Sequence, residues 1–290
     1  MARPLRIQFP GAMYHIMSRG IGKMTIFHTD HDWNKFISFM ERVITRYNWT
    51  CHAYCLMGTH YHILLETPDA NMVPGMKQLN QFYSQYYNWK YRRVGPVLQG
   101  RYKAYLVQKD EKFLDNSRYI VNNPVEANMV QHLSEWPNSS FKATRGLCKT
   151  PSFLHTDFLL SHFSSSSKKA KRMYEEFVLA GIGMESPLKE AKNQIFLGSD
   201  SFVKETMKHV DDADKLVGIP KVQKLAERPS LEDLFKSNGQ PSKRIRNLRI
   251  KEAYEGHGYT LRQIGEYLQL NPDYLSRIIA EIRKTSEGRT

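Results

Sequence analysis

Apolar residues recur with two different periods in the first half of the chain. Residues 12–18 (Ala-Met-Tyr-His-Ile-Met-Ser) read as a strand ending at Arg19-Gly20. Residues 31–47 set Trp33, Phe36, Ile37, Met40, Val43 and Ile44 at helical spacing, with Thr29 or Asp30 as the cap. Two strand-like runs follow, about 50–57 and 60–66, with Gly58-Thr59 at the turn between them. Residues 72–91 read as a second helix, 102–108 as a fourth strand, and 110–123 as a third helix stopped by Pro124. The order β-α-β-β-α-β, then a helix, predicts an α+β fold of the ferredoxin-like kind. An antiparallel sheet would carry helices on one face and leave the other for a site, covered by the third helix.

The pattern weakens after about residue 150. A serine-lysine patch, Ser164 to Lys169, precedes a helical stretch around 168–181, and residues 182–240 are mixed. The last 50 residues change again: a basic helical stretch from Lys243 to Tyr254, a short helix from Thr260 to Leu268, a turn at Leu270–Asp273, and a helix from Tyr274 to Lys284. That succession predicts an all-α helix-turn-helix. The expected domains are therefore 1–145, a partly helical connecting region over 146–240, and 241–290.

Composition adds charge to this picture. Hydrophobic residues make up 41% and charged residues 24%, an ordinary globular balance, but 42 basic against 29 acidic residues give +13. Such an excess favours a polyanionic partner, because neutralising phosphates releases their counterions. Cys51, Cys55 and Cys148 cannot all pair and form no CxxC motif, so reduced thiols in a cytoplasmic protein are expected rather than a structural zinc site. The N-terminus lacks the apolar core of a signal peptide, and there is no apolar run long enough to predict a membrane span.

Candidate chemistry lies in His60-Tyr61-His62. Alternate residues of a strand share a face, which puts the two histidines roughly 6–7 Å apart at Cα and lets both imidazoles converge on one divalent ion. Two imidazoles do not choose the metal, and they leave positions for a third ligand. Glu66 shares the face but lies roughly 13 Å further along the strand, so that ligand must come from another element. Tyr119 and Asn123, four apart in the third helix, share a face and could present a nucleophile and a ligand together. Phenols ionise near pH 10 in solution, so a nucleophilic tyrosine would need a polarised phosphate. On composition alone, in a chain of 16 tyrosines, Tyr119 reads as a core residue and Asn123 as a helix-end cap before Pro124.

The segments YCLMGTHYHILLETP (54–68), GRYKAYLVQ (100–108) and RYIVNNPVEANMV (118–130), in that order, resemble the single-tyrosine HUH transposases, most closely the REP-associated tyrosine transposases. The opening ARPLRIQFPGAMYHIMSRG (2–20) is similar too, so the resemblance covers about residues 1–141. It implies that His60 and His62 are the histidines of the HUH motif, that Tyr119 is the catalytic tyrosine, and that Asn123 completes the metal site. It further implies cleavage of single-stranded DNA with Mg²⁺ or Mn²⁺ to a 5′-phosphotyrosine and a free 3′-hydroxyl, with resealing by reversal. The departure is Gly58-Thr59, where relatives commonly carry Pro-Asn.

DNA contacts are expected from a basic, aromatic stretch. Residues 81–110 hold six basic residues and one acid, interleaved with Tyr83, Tyr86, Tyr87, Trp89, Tyr91, Tyr102 and Tyr105. Cations for phosphates and ring faces for bases make a single-strand binder, although an amphipathic helix would bury about half of these rings. The candidates are Arg3, Arg6, Arg19, Arg92, Arg101 and Lys103 for single-stranded hairpin DNA. Tyr274, Ser276 and Arg277, near the start of the last helix, are candidates for duplex DNA. The expected activity is transposition of a mobile or repeat element, as a monomer or a homodimer. The alternative is a domesticated DNA-binding regulator without cleavage.

Overall fold

The computed structural model describes residues 5–209, 229–236 and 242–287. The chain divides into two compact units, one spanning Arg6–Phe202 and one centred on Val203–Thr290.

The first unit is a mixed α+β structure on a five-stranded, mostly antiparallel sheet. Its strands are β1 (Ala12–Arg19), β2 (Thr50–Leu56), β3 (His60–Thr67), β4 (Lys103–Val107) and β5 (Phe196–Leu197), in the order β2-β3-β1-β4-β5. Only the β4–β5 pair is parallel. Three long helices, α1 (Asp30–Arg46), α2 (Met72–Lys90) and α3 (Lys109–Glu126), are interleaved with the first four strands.

Both faces of the central strands are covered, which is why β1 and β3 read as nearly continuous apolar runs. In the β1–β3 register Tyr14 lies opposite Leu65, Ile16 opposite Ile63 and Ser18 opposite Tyr61. These residues face α1 and α2: Phe36 packs on Tyr61 at 4.8 Å, and the Tyr61 hydroxyl donates to Asn80 at 2.6 Å. The alternate residues Met13, His15, Met17 and Arg19 face the other way, with Leu64, His62 and His60 beside them. That side is closed by α3, through a core containing Met13, Leu64, Val107, Phe113, Ile120 and Val121.

The start of α1 is locked to the end of α2 by Asp32, which is fully buried. Its carboxylate accepts from the amides of His28 and Thr29, the hydroxyls of Tyr86 and Tyr91, and the Lys90 ammonium. Asp32 is thus both a cap and a clamp.

Two sequence expectations are corrected. Helix α3 does not stop at Pro124 but runs on to Glu126. Proline lacks the N–H that would bond the carbonyl of Ile120. The Asn123 side-chain amide donates to the carbonyls of Tyr119 at 2.8 Å and Ile120 at 3.4 Å, and so fills that gap. Nor are residues 146–202 a mere connection. After α4 (Phe141–Arg145) and α5 (Asp157–Ser161), helix α6 (Ser167–Leu179) packs against α3, and β5 extends the sheet. Leu159, Leu160, Ala170, Tyr174, Val178 and Leu197 are buried in the same core as Phe113 and Ile120. Helix α7 (Asp200–Met207) follows.

In the second unit, α8 (Leu231–Phe235), α9 (Lys243–Lys251), α10 (Leu261–Leu268) and α11 (Pro272–Glu287) surround Ile250, Ala253, Ile264, Leu275, Ile278 and Ile279. Thr260 and Gln263 form a reciprocal capping box at the start of α10. The turn from α10 to α11 passes through Gln269 in the left-handed region (φ 55°). A Cβ on Gly265 would lie 2.5 Å from the Leu270 carbonyl oxygen, so the turn needs glycine there.

Candidate active site

Strand β3 opens with His60, Tyr61 and His62, and the pleat puts both imidazoles on the α3 side with ring centres 5.1 Å apart. Each ring has one nitrogen engaged. The Thr59 hydroxyl lies 3.0 Å from His60 Nδ1, and His15 Nε2 lies 2.8 Å from His62 Nδ1. His15 in turn faces Asn116 Oδ1 through its Nδ1, at 3.0 Å. The Nε2 atoms of His60 and His62 remain for a ligand.

Burial governs the charge of these rings. Desolvation lowers His62 well below the ordinary histidine value, with further lowering from His15 and His60. His60 is lowered by burial and by the Arg19 guanidinium, while burial brings His15 to about 4 against an opposing bond to Asn116. Burial thus favours the uncharged form of His60 and His62, the form in which an imidazole binds metal.

Helix α3 brings Tyr119 to this cluster. Its ring centre is 6.0 Å from that of His62, edge-on at 88°, and 5.9 Å from that of His15. Tyr105 flanks it, and the Tyr105 phenol is pushed up by burial and by Tyr119. Asn123, one turn on, turns its amide nitrogen to its own helix, donating to the Tyr119 carbonyl at 2.8 Å. Among the described residues no group of three or more His, Cys, Asp or Glu could hold a metal. The paired imidazoles of His60 and His62 nonetheless make a partial donor set whose open positions suit phosphate oxygens and water. Glu66 is engaged elsewhere, bonded to Lys109 at 2.6 Å with His52 at 3.6 Å.

Three of the expected DNA contacts converge beside the histidines. Arg19, Arg101 and Lys103, with Met17, Ser18 and Gln99, line a pocket of about 220 Å³, and Arg19 lies opposite His60 in the strand register. Arg19 Nε donates to Gln99 Oε1 at 2.6 Å. The pocket therefore offers cations and no acid. The others are dispersed. Arg6 stacks over the Tyr102 ring at 3.6 Å and donates to its carbonyl. Arg92 is exposed beyond the end of α2, and Arg3 lies outside the described residues. Of the aromatic stretch, Tyr83, Tyr86, Tyr87 and Tyr102 are buried and Trp89 is 79% exposed. Tyr274, Ser276 and Arg277 sit on the open side of α11, whose Leu275, Ile278 and Ile279 are in the core. His15 and Asn116 escaped the sequence reading. Only the β1–β3 register brings His15 diagonally across from His62, and no spacing in the chain announces it.

Residues 8–123 match the family described as Transposase IS200 like. A REP-associated tyrosine transposase of Haemophilus influenzae is 30% identical over 124 residues, which span 37% of this chain and 68% of that one. The solved structure of a REP-associated tyrosine transposase bound to a REP hairpin superposes with a TM-score of 0.45 at 16% identity, covering 54% of this chain and 93% of that chain. The chain is of the IS200-like transposase class. Within that class the chain belongs to the REP-associated tyrosine transposases, a family of DNA-processing enzymes of transposition.

Proposed function

We propose that this protein cleaves and rejoins single-stranded hairpin DNA through a 5′-phosphotyrosine at Tyr119, with Mg²⁺ or Mn²⁺ held by His60, His62 and Asn123. The observation that carries this is the edge-on approach of Tyr119 to His62 within a single chain. One chain is then sufficient for the chemistry, without a second copy supplying the tyrosine. Bound metal supplies polarisation of the scissile phosphate. Arg19, Arg101 and Lys103 hold the adjoining backbone by charge. Tyr119, fixed on α3, attacks in line: its Oη–P bond forms as the P–O3′ bond breaks, the phenolic proton passes to water, and the departing 3′ oxygen takes one up. The phosphotyrosine conserves the energy of the broken ester, so a second 3′-hydroxyl can reverse the step. In this reading residues 12–126 act as a ferredoxin-like catalytic core. Helices α10 and α11 act as a helix-turn-helix that holds duplex DNA through Tyr274, Ser276 and Arg277.

The test is labelled single-stranded hairpin DNA from the repeats flanking the gene, incubated with protein and either metal and resolved on a denaturing gel. A protein–DNA adduct that vanishes in Tyr119→Phe is expected. Cleavage that survives Tyr119→Phe would mean that water is the nucleophile. Tight binding without an adduct would mean a DNA-binding regulator.

A further inference from the structure

We propose that His15 and Asn116 are positioning residues that fix His62 in the tautomer able to bind metal, with its proton on Nδ1 and its lone pair on Nε2. The inference rests on the metal site proposed above and follows from one chain of hydrogen bonds that can be assigned end to end.

The assignment starts at a backbone carbonyl. The Asn116 side chain lies 2.8 Å from the Lys112 carbonyl oxygen, one turn back in α3. A carbonyl only accepts, so the amide atom facing it is the Nδ2 donor. The Asn116 oxygen must then face His15 Nδ1, at 3.0 Å, and that nitrogen must carry the proton. His15 is wholly buried with an amide and an imidazole as its partners and no carboxylate to offset a charge, so it is neutral; a neutral imidazole has one N–H, and His15 Nε2 is an acceptor. It lies 2.8 Å from His62 Nδ1, which therefore donates. The His62 lone pair is left on Nε2. With His15 neutral, the opposite assignment would set two lone pairs or two protons face to face at one of these contacts.

The environment leaves the chain no substitute. His15, His62 and Asn116 are at most 2% exposed, so water cannot replace a lost partner. His60 has no such link, only the rotatable hydroxyl of Thr59, which donates or accepts as required. The two ligands are therefore held differently, His62 rigidly and His60 adaptably. Orienting the non-ligating nitrogen of a metal-bound histidine is the usual task of an outer partner. Here that partner is a second imidazole whose own tautomer is set by the helix that carries Tyr119. Asn116 and Tyr119 are three residues apart, so the link that orders His62 also holds the tyrosine helix to the sheet.

The full-length protein, with its histidine side chains labelled with ¹⁵N, answers this directly. Two-bond ¹H–¹⁵N correlations without metal should show His15 and His62 both as Nδ1–H tautomers. In His15→Leu, His62 should move to the Nε2–H form that predominates in free histidine, and Mn²⁺ affinity should fall about 10- to 100-fold. His15→Gln, whose amide oxygen can accept from His62 Nδ1, should recover most of that affinity. Finding His62 as Nε2–H in the unaltered protein would overturn the proposal whether or not any variant folds. So would unchanged Mn²⁺ affinity in a folded His15→Leu. If the unaltered protein binds no Mn²⁺ while both rings show the expected tautomer, the metal reading fails and the hydrogen-bond chain stands.

Discussion

Replacing Asp32 by alanine should destabilise the first unit without touching the proposed site. The carboxylate is fully buried and accepts five hydrogen bonds from both ends of the α1–α2 pair, plus one from the Thr29 hydroxyl. Breaking a buried charge pair costs about 3–5 kcal/mol when the partner is stranded. Lys90 is 25% exposed and can turn to water, which removes part of that cost. Left without acceptors are the amide of His28, the amide of Thr29, which is the helix cap, and the buried Tyr86 hydroxyl, at about 1 kcal/mol each. The sum is about 3 kcal/mol, or about 6–12 °C in Tm for a unit of this size. Burial alone would raise the Asp32 carboxyl, but bonds from Lys90, Tyr91, Tyr86 and the His28 amide outweigh it and hold the group well below the ordinary carboxylate range. For a carboxyl depressed in the folded state, the stabilisation is complete above its unfolded value, near 3.9, and is lost as pH falls from there towards the folded value. The gap in urea-unfolding free energy between the native chain and Asp32→Ala should therefore be flat from about pH 5 to pH 8 and close only below about pH 4. A gap under about 1 kcal/mol at neutral pH, or one that varies across that plateau, would refute the clamp.

The pocket and the aromatic stretch make two further predictions. Arg101→Ala and Lys103→Ala should each weaken single-stranded DNA binding and reduce its salt dependence by about 0.7 in log–log slope, with Tm unchanged, as read by fluorescence anisotropy against salt. Trp89→Ala should cost about 1–3 kcal/mol of single-strand affinity if that ring stacks on a base, again without change in Tm. Tyr83→Ala should do the reverse, losing about 3–5 kcal/mol of stability because its ring is wholly buried among Phe27, Phe36 and Tyr86.

The parts of this molecule that were legible in its sequence are those governed by short-range periodicity. The four long strands and three long helices of the first half lie within a few residues of their expected positions, because each buries a face at a regular interval. His60, His62 and Tyr119 could be singled out by motif, and the fold brings their rings together. What could not be read depends on partners distant in the chain. The link from His15 to His62 needs the strand register, and the continuation of α3 through Pro124 needs Asn123 to cover a carbonyl. Strand β5 is two residues long, too short to show any alternation. The tyrosines in and just after α2 carry the same letters whether they stack on bases or serve a buried aspartate. Composition favoured the first, and Asp32 assigns Tyr86 and Tyr91 to the second.

The domain boundary expected near residue 145 offers the sharpest contrast between the two views, because a fragment ending there would lose the backing of the tyrosine helix. Helix α3 is held on the sheet side by Asn116 and His15. On the far side Asn122 donates to the Val178 carbonyl at 2.9 Å, and Arg118 lies over the Phe177 ring at 4.6 Å. Beyond residue 145 the same core takes in Leu159, Leu160, Tyr174, Val178 and Leu197, all buried. At about 1.5–3 kcal/mol for each large apolar side chain, their loss rivals the whole stability of an ordinary domain, about 5–15 kcal/mol. A fragment of residues 1–145 should therefore fail to melt cooperatively and should expose apolar surface, whereas 1–202 should melt in one transition. If 1–145 instead showed a sharp transition at the temperature of 1–202, residues 146–202 would be an ornament on a self-sufficient sheet. The precision with which Tyr119 meets His62 would then have to come from the β1–α3 link alone.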